Sequence, residues 1–233
     1  MSDTDSFIDE VNDEVRRDKL FAALRKYGWI GVVAVLLLVG GVGYSENQKR
    51  IARGQAEALG DGMLNALALN DAAERVDALK DVQAADPAAG AVLAFMTAAQ
   101  QTDAGDAAGA AETLQSVINS AELPLIYRQI ATFKALGANS ANLSLEDRTE
   151  GYSALAQPGN GLRLLAEEQL AFIDIEQGDT DSAAERLQTI LDDSEVTADL
   201  QQRVLQVMVA LGVEPDLSQV TGSAAAGATG LGN

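Results

Sequence analysis

The segment GDAAGAAETLQSVI, residues 105–118, recurs 73 residues later as GDTDSAAERLQTIL, residues 178–191. Seven of the fourteen positions are identical in the two copies. The Gly-Asp pair that opens each copy predicts a turn in which Gly ends one helix and Asp caps the next. The Ala residues allow close packing, and Leu114 and Leu187 are expected to fill the groove between two helices. The spacing is about twice a 34-residue helix-turn-helix period plus a few residues, which predicts helix pairs.

The chain from residue 46 onward alternates between Ala/Leu-rich helical segments and helix breakers such as Asp86-Pro87 and Gln157-Pro158-Gly159. No stretch shows sustained period-two alternation with β-branched residues, so strands are not expected. We therefore predict an all-α domain built from antiparallel helix pairs. The predicted helices cover residues 47–69, 71–85, 88–102, 106–120, 123–138, 146–156, 160–177, 179–193 and 196–211.

A second feature is the run YGWIGVVAVLLLVGGVGYS, Tyr27–Ser45, which contains no charged residue. At about 1.5 Å per residue this run is close in length to a hydrocarbon core of about 30 Å. Tyr27, Trp29 and Tyr44 lie near its ends, where amphipathic rings favour the headgroup level. We predict a single transmembrane helix. The alternatives are a buried helix of a soluble domain and a cleaved signal peptide, although no A-x-A-like cleavage site follows the run.

The charges that flank Tyr27–Ser45 predict its orientation. Lys and Arg are enriched on the cytoplasmic side of membrane spans, and Asp and Glu contribute little. Five basic residues precede the run and three follow it, so we expect a cytoplasmic N-terminus and a C-terminal domain on the opposite side. The basic residues are Arg16, Arg17, Lys19, Arg25 and Lys26 before the run, and Lys49, Arg50 and Arg53 after it.

These patterns divide the chain into four predicted parts. Residues 1–26 form a cytoplasmic juxtamembrane amphipathic segment, which either lies on the inner leaflet or docks a partner. Residues 27–45 form the transmembrane helix, and residues 46–215 form the helical domain. Residues 216–233 form a Gly/Ala-rich tail that we expect to be disordered.

Composition argues against several classes of function. The chain has 35 acidic and 16 basic residues, of which seven and five lie in residues 1–45; the remainder therefore carries 28 and 11, a net charge of −17. Such a surface repels nucleic acid, and no small-molecule site is evident. The chain has neither His nor Cys, so the commonest general base, metal ligand and thiol nucleophile are missing. We predict no enzyme activity, no catalytic residue, no cofactor-binding residue and no metal-binding residue.

The repeated segment resembles the turn and second helix of a tetratricopeptide repeat. Ala98 and Ala171 occupy the position of that family's small first-helix residue. Gln101 and Asp174 stand where the family has a large apolar residue, and only Asp86-Pro87 keeps a closing proline. The resemblance implies a degenerate tetratricopeptide-like helical-repeat domain.

The layout over residues 7–212 is similar to the tetratricopeptide repeat-like family of the bacterial ancillary SecYEG translocon subunit (YfgM-like). The layout consists of the basic segment that ends in Arg25-Lys26, the apolar run, the Ala-rich repeats and the final segment Leu200–Gly212. This resemblance implies a single-span inner-membrane protein with a periplasmic domain. Its implied partners are translocon subunits, periplasmic chaperones, emerging chains and the lipid bilayer through Tyr27–Ser45. It implies no catalytic residues.

Three classes of function remain in view. The first is a membrane-tethered interaction module, because stacked helix pairs offer an extended surface for peptide or protein capture. The second is a structural envelope scaffold that positions a cell-division or cell-wall assembly. The third is an enzyme or sensor, which the missing His and Cys and the lack of a Gly-rich phosphate loop make the weakest of the three.

Overall fold

A computed structural model describes residues 25, 36–39 and 41–216. Every regular element in these ranges is an α-helix, and the same ranges contain no strand. The all-α prediction is therefore confirmed. The chain divides into two compact units, Met1–Ala58 and Leu59–Asn233.

In the first unit, residues 36–39 and 41–58 are helical, and all of their side chains are exposed. The predicted juxtamembrane segment 1–26 lies outside the described residues except for Arg25, and the predicted span is described only at 36–39 and 41–45. The described ranges contain no helix with the length and apolar character needed to cross a bilayer. The predicted tail also lies outside the described residues, apart from Asp216.

The second unit opens with helical residues 59–67, which we label α1. Each segment that the sequence predicts to be helical after residue 70 overlaps one helix of the structure. These helices are α2 (Ala72–Lys80), α3 (Pro87–Asp103), α4 (Ala107–Ile118), α5 (Leu125–Ala138), α6 (Leu145–Leu155), α7 (Arg163–Glu176), α8 (Thr180–Leu191) and α9 (Ala198–Ala210).

Helix α2 ends at Lys80, five residues before the end of the predicted segment 71–85. Pro87 is the first residue of α3, and a residue that precedes proline is held away from the helical region, so Asp86 is extended. The intervening connection packs Val82 against α1, where a Cβ added at Gly62 would lie 3.2 Å from the Val82 side chain. Pro87 therefore fixes the start of α3, and the packing of Val82 on α1 accompanies the early end of α2.

Four of the acidic residues cap helices. Asp71, Asp86, Asp106 and Asp179 each precede a helix and accept hydrogen bonds from backbone N–H groups of its first turn. The Ser182 N–H and hydroxyl both bond Asp179, which lowers the pKa of its carboxyl below the ordinary value. A carboxylate at this position also interacts favourably with the helix dipole. Part of the negative charge thus has a local structural role.

The two Gly-Asp turns have the same geometry, as the repeat predicted. Gly105 and Gly178 have φ values of 80° and 79°, in the left-handed region that glycine adopts without strain. In each turn the Asp N–H bonds a carbonyl five residues earlier, Gln101 for Asp106 and Asp174 for Asp179, at 2.8 and 2.9 Å. This pattern is a Schellman motif, which closes α3 and α7 and starts the next helix within a few residues.

Helices that follow one another in the chain pack against each other, and their core consists of three apolar clusters. Ala98, Ala110 and Leu114 belong to the cluster of α3, α4 and α5, whereas Ala171 and Leu187 belong to that of α7, α8 and α9. All five side chains are buried. The predicted buried position of Leu187 is therefore confirmed, and the small residues lie where helices approach closely.

Candidate protein-binding groove

An open groove of about 510 Å³ runs along the exposed side of α7. Its floor comes from α7, one wall from α9, and Phe133 of α5 contributes to the other side. The three helices are each separated by one intervening helix in the chain, so alternate helices of the array share this surface. The lining residues are Phe133, Leu165, Glu168, Gln169, Phe172, Arg203, Gln206, Val207 and Ala210.

The spacing of the α7 residues explains the floor. Leu165, Gln169 and Phe172 lie four and three residues apart, which places them on one face of the helix. Phe172 is 38% exposed, whereas Leu170 and Ile173 of the same helix are buried. Phe133 is held by Tyr152, whose ring lies edge-on at a centroid distance of 5.6 Å. The groove therefore presents two aromatic rings, one of them fixed, to a ligand.

A second cavity of about 390 Å³ adjoins the groove, because Leu165 lines both. It lies at the start of α7 and α9, where Leu164 and Leu200 add apolar surface and the loop Gly159–Gly161 forms the rim. The left-handed Gly159 and the Asn160 side chain, which accepts a hydrogen bond from the Leu162 N–H, shape this loop. These contacts delay the start of α7 from the predicted residue 160 to Arg163.

The charged groups in the groove are paired with each other. Arg203 of α9 donates two hydrogen bonds to Glu168 of α7, from Nε to Oε1 at 2.9 Å and from Nη2 to Oε2 at 2.7 Å. The hydrogen bonds to Glu168 raise the pKa of Arg203 above its ordinary value. Glu168 is only 3% exposed, so Arg203 neutralises a buried carboxylate.

The adjoining cavity is neutralised in the same manner. Arg163 donates to Glu195 at 2.8 Å and contacts Asp193 at 2.9 Å, and these hydrogen bonds raise the pKa of Arg163. The Glu195 N–H bonds Asp193 and lowers the pKa of that carboxyl. Within a strongly acidic domain, both cavities therefore have walls whose ionic groups are internally compensated.

A related cavity of about 300 Å³ lies between α3 and α5, four helices before α7 and α9 in the array. Phe95 and Ala99 of α3 line it together with Lys134 and Gly137 of α5. In the repeat alignment Phe95 corresponds to Glu168 and Ala99 to Phe172. The same side of the first helix is thus open in both repeats, and its aromatic residue is the partly buried Phe95 in α3 and the more exposed Phe172 in α7.

The two positions that depart from the tetratricopeptide pattern form polar bridges between the paired helices. Gln101 Oε1 accepts a hydrogen bond from the Thr113 hydroxyl at 2.7 Å, and Asp174 accepts one from Arg186 at 3.0 Å. Thr113 and Arg186 are themselves equivalent in the repeat, since they too lie 73 residues apart. A polar pair therefore joins the two helices at equivalent positions in both copies.

Sequence reasoning named no site residue, and the described ranges contain no cluster of three or more acidic, His or Cys side chains able to hold a metal ion. It also missed the groove. Glu168 and Arg203 are 35 residues apart, and the pair Glu167-Glu168 has the pattern of a solvated acidic surface. The available signal was Phe172, an aromatic residue beside the predicted small residue Ala171.

No protein-family model, no curated protein and no solved structure matches this chain.

Proposed function

We propose that this chain is a membrane-anchored protein-interaction module without enzyme activity, whose tetratricopeptide-like helices capture a protein segment in the α7 groove. The observation that carries the proposal is the groove itself, which combines aromatic and aliphatic walls with internally paired charges. An apolar ligand side chain that enters the groove can bury its surface there without removing an unpaired charge from water. Gln169 and Gln206 supply amides that can bond a peptide backbone.

The anchor is proposed from the first unit. Leu36, Leu37, Leu38 and Val39 are consecutive helical residues, each 65% exposed or more. Four successive residues cover about 300° of a helix circumference, so the apolar surface faces all directions. A helix that is apolar on all sides requires an apolar environment, which a bilayer around Tyr27–Ser45 provides.

The resemblance to the SecYEG-associated family and the flanking charges supply the location and the partner. We place the N-terminus in the cytoplasm and the helical domain in the periplasm of a bacterial inner membrane. There the module would link the translocon to periplasmic chaperones during protein export. Tethering beside the channel raises the effective concentration of the groove, so weak contacts with emerging chains or chaperones become sufficient.

The topology has a direct test. A reporter enzyme that is active only outside the cytoplasm, fused after residue 212, should be active, because five basic residues precede the apolar run and three follow it. External protease should degrade the domain in spheroplasts. An inactive fusion together with a protected domain would reverse the orientation and remove the periplasmic partners from consideration.

The groove has a second test, by photo-crosslinking in cells that express the full-length chain. A crosslinking amino acid at Gln169 should yield a translocon subunit or a periplasmic chaperone, whereas one at Glu185, exposed on α8, should not. Phe172→Ala should lower the yield about fivefold or more, since truncating an aromatic anchor commonly costs more than 1 kcal/mol of binding. If Gln169 instead captured a division or cell-wall protein, the envelope-scaffold function would replace the translocon proposal. Equal crosslinking yields at Gln169 and Glu185 would exclude the groove as the binding site.

A further inference from the structure

The outer face of α9 is open among the described residues. Helices α3, α5 and α7 are each followed by a helix that packs on them, whereas α9 is followed by the non-helical residues 211–216. A shallow depression of about 420 Å³ marks this face, and Val209 at its C-terminal end is 69% exposed. The depression is lined by Ala198, Gln201, Gln202, Leu205, Gln206 and Val209.

The chemistry of this face is unusual for the chain. None of its lining residues is charged, although residues 46–233 carry a net charge of −17. Its apolar part comes from Leu205 and Val209, and its polar part comes from three glutamine amides. By contrast, the exposed side of α8 bears Asp181 and Glu185. An uncharged face at the end of a helical array is suited to contact with another helix.

We propose that this face binds a second copy of the chain, with the two α9 helices packed against each other in antiparallel orientation. Two copies of an acidic protein repel each other wherever charged surfaces meet, so an uncharged face is where they can approach. A two-fold interface must also complement itself. Two carboxylates that meet across a two-fold axis repel each other. Two glutamine amides can bond each other, because each amide both donates and accepts hydrogen bonds, and two apolar side chains can pack together.

Antiparallel packing also suits the remaining groups of α9. It opposes the two helix dipoles, and it places Gln202 and Leu205 near the two-fold axis, with Ala198 of one copy near Val209 of the other. Asp199 lies at the edge of the face, close enough to Arg203 to raise the pKa of its guanidinium. The two Asp199 residues would be about 13 Å apart along the helix axis, beyond a Debye length of about 8 Å.

The size of the face predicts the strength of the contact. A helix of 13 residues is about 20 Å long, and one such helix pair buries far less than the roughly 800 Å² per partner of a stable interface. The dimer should therefore exchange rapidly and should be favoured where copies are concentrated. This inference rests on α9 alone and does not depend on the membrane anchor or on the α7 groove.

Since the chain has no cysteine, a single engineered cysteine can report the contact in the full-length protein. Gln202→Cys should give a covalent dimer with a short bis-maleimide, because the two thiols would lie near the two-fold axis. Gln83→Cys, on the exposed connection after α2, is the matched control and should remain monomeric. Adding Val209→Glu should lower the Gln202→Cys dimer yield at least about tenfold, because it places a carboxylate in the contact beside Asp199 of the other copy. Val92→Glu, at an exposed valine of α3, should leave the yield unchanged.

Three results would overturn the proposal: equal dimer yields from the two cysteine variants, a yield that Val209→Glu does not change, or a Gln202→Cys product that contains a different protein. The crosslinking is performed on whichever cell fraction holds the chain. A failure of the membrane proposal would thus appear in the fractionation, and a failure of the α9 contact would appear in the dimer yield.

Discussion

Leu187→Ala is expected to lower the free energy of unfolding of the helical domain by about 2–5 kcal/mol. Leu187 is fully buried in α8 and belongs to the cluster that joins α7, α8 and α9. Its truncation removes apolar surface and leaves a cavity within this close-packed cluster. Urea unfolding followed by circular dichroism measures the change.

The control for this variant is Leu64→Ala, since Leu64 in α1 is 67% exposed and should change stability by less than about 0.5 kcal/mol. The converse substitution, Ala183→Leu, should cost about 1–3 kcal/mol, because Ala183 is fully buried where α8 meets α7. Parental stability in both Leu187→Ala and Ala183→Leu would mean that the repeat alignment misplaces the contact between the two helices.

The elements that sequence reasoning predicted are those with local signals. Gly-Asp turns, Asp caps and the Pro87 boundary depend on residues a few positions apart, so their positions could be read directly. The buried sides of α4 and α8 followed from the repeat, because an identity at Leu114 and Leu187 indicates an equivalent environment. The early end of α2 accompanies the packing of Val82 on α1, which no local pattern reports.

The groove could not be predicted because its parts are distant in the chain. Phe133, Phe172 and Ala210 come from three helices, and only the tertiary packing brings them to one surface. The partner of each arginine could not be predicted for a further reason, since an acidic domain offers many carboxylates to each guanidinium. Arg186, for example, contacts Glu167 and Asp174, whereas Arg203 binds Glu168. Sequence periodicity does not distinguish a buried carboxylate at 168 from an exposed one.

The polar bridges show why both copies tolerate a polar residue where two helices pack. An unpaired Gln101 or Asp174 side chain at this position would cost about 1–3 kcal/mol. A partner appears twelve positions later in both copies, as Thr113 and as Arg186. The two polar positions therefore form coupled pairs, and the packing of the two helices is preserved.

The same reasoning applies to the ion pair of the groove. Arg203→Ala should lower the free energy of unfolding by about 2–4 kcal/mol. Removing Arg203 leaves the Glu168 carboxylate buried at 3% exposure without its two charge-assisted hydrogen bonds. Because Arg203 itself is half exposed, its own desolvation offsets little of this loss. Lys80→Ala, which breaks the exposed pair with Asp77, is the matched control and should cost less than about 1 kcal/mol.

A double variant separates the orphaned charge from the lost packing of the arginine stem. Adding Glu168→Gln to Arg203→Ala removes the buried charge but keeps the size of the side chain, so it should recover at least half of the lost stability. Glu168→Gln alone should cost less than Arg203→Ala, because Arg203 can turn towards solvent. If Arg203→Ala cost no more than Lys80→Ala, or if Glu168→Gln gave no recovery, the pair would be a surface contact. The groove would then hold an accessible carboxylate, and its preferred ligand would be a basic segment instead of an apolar one.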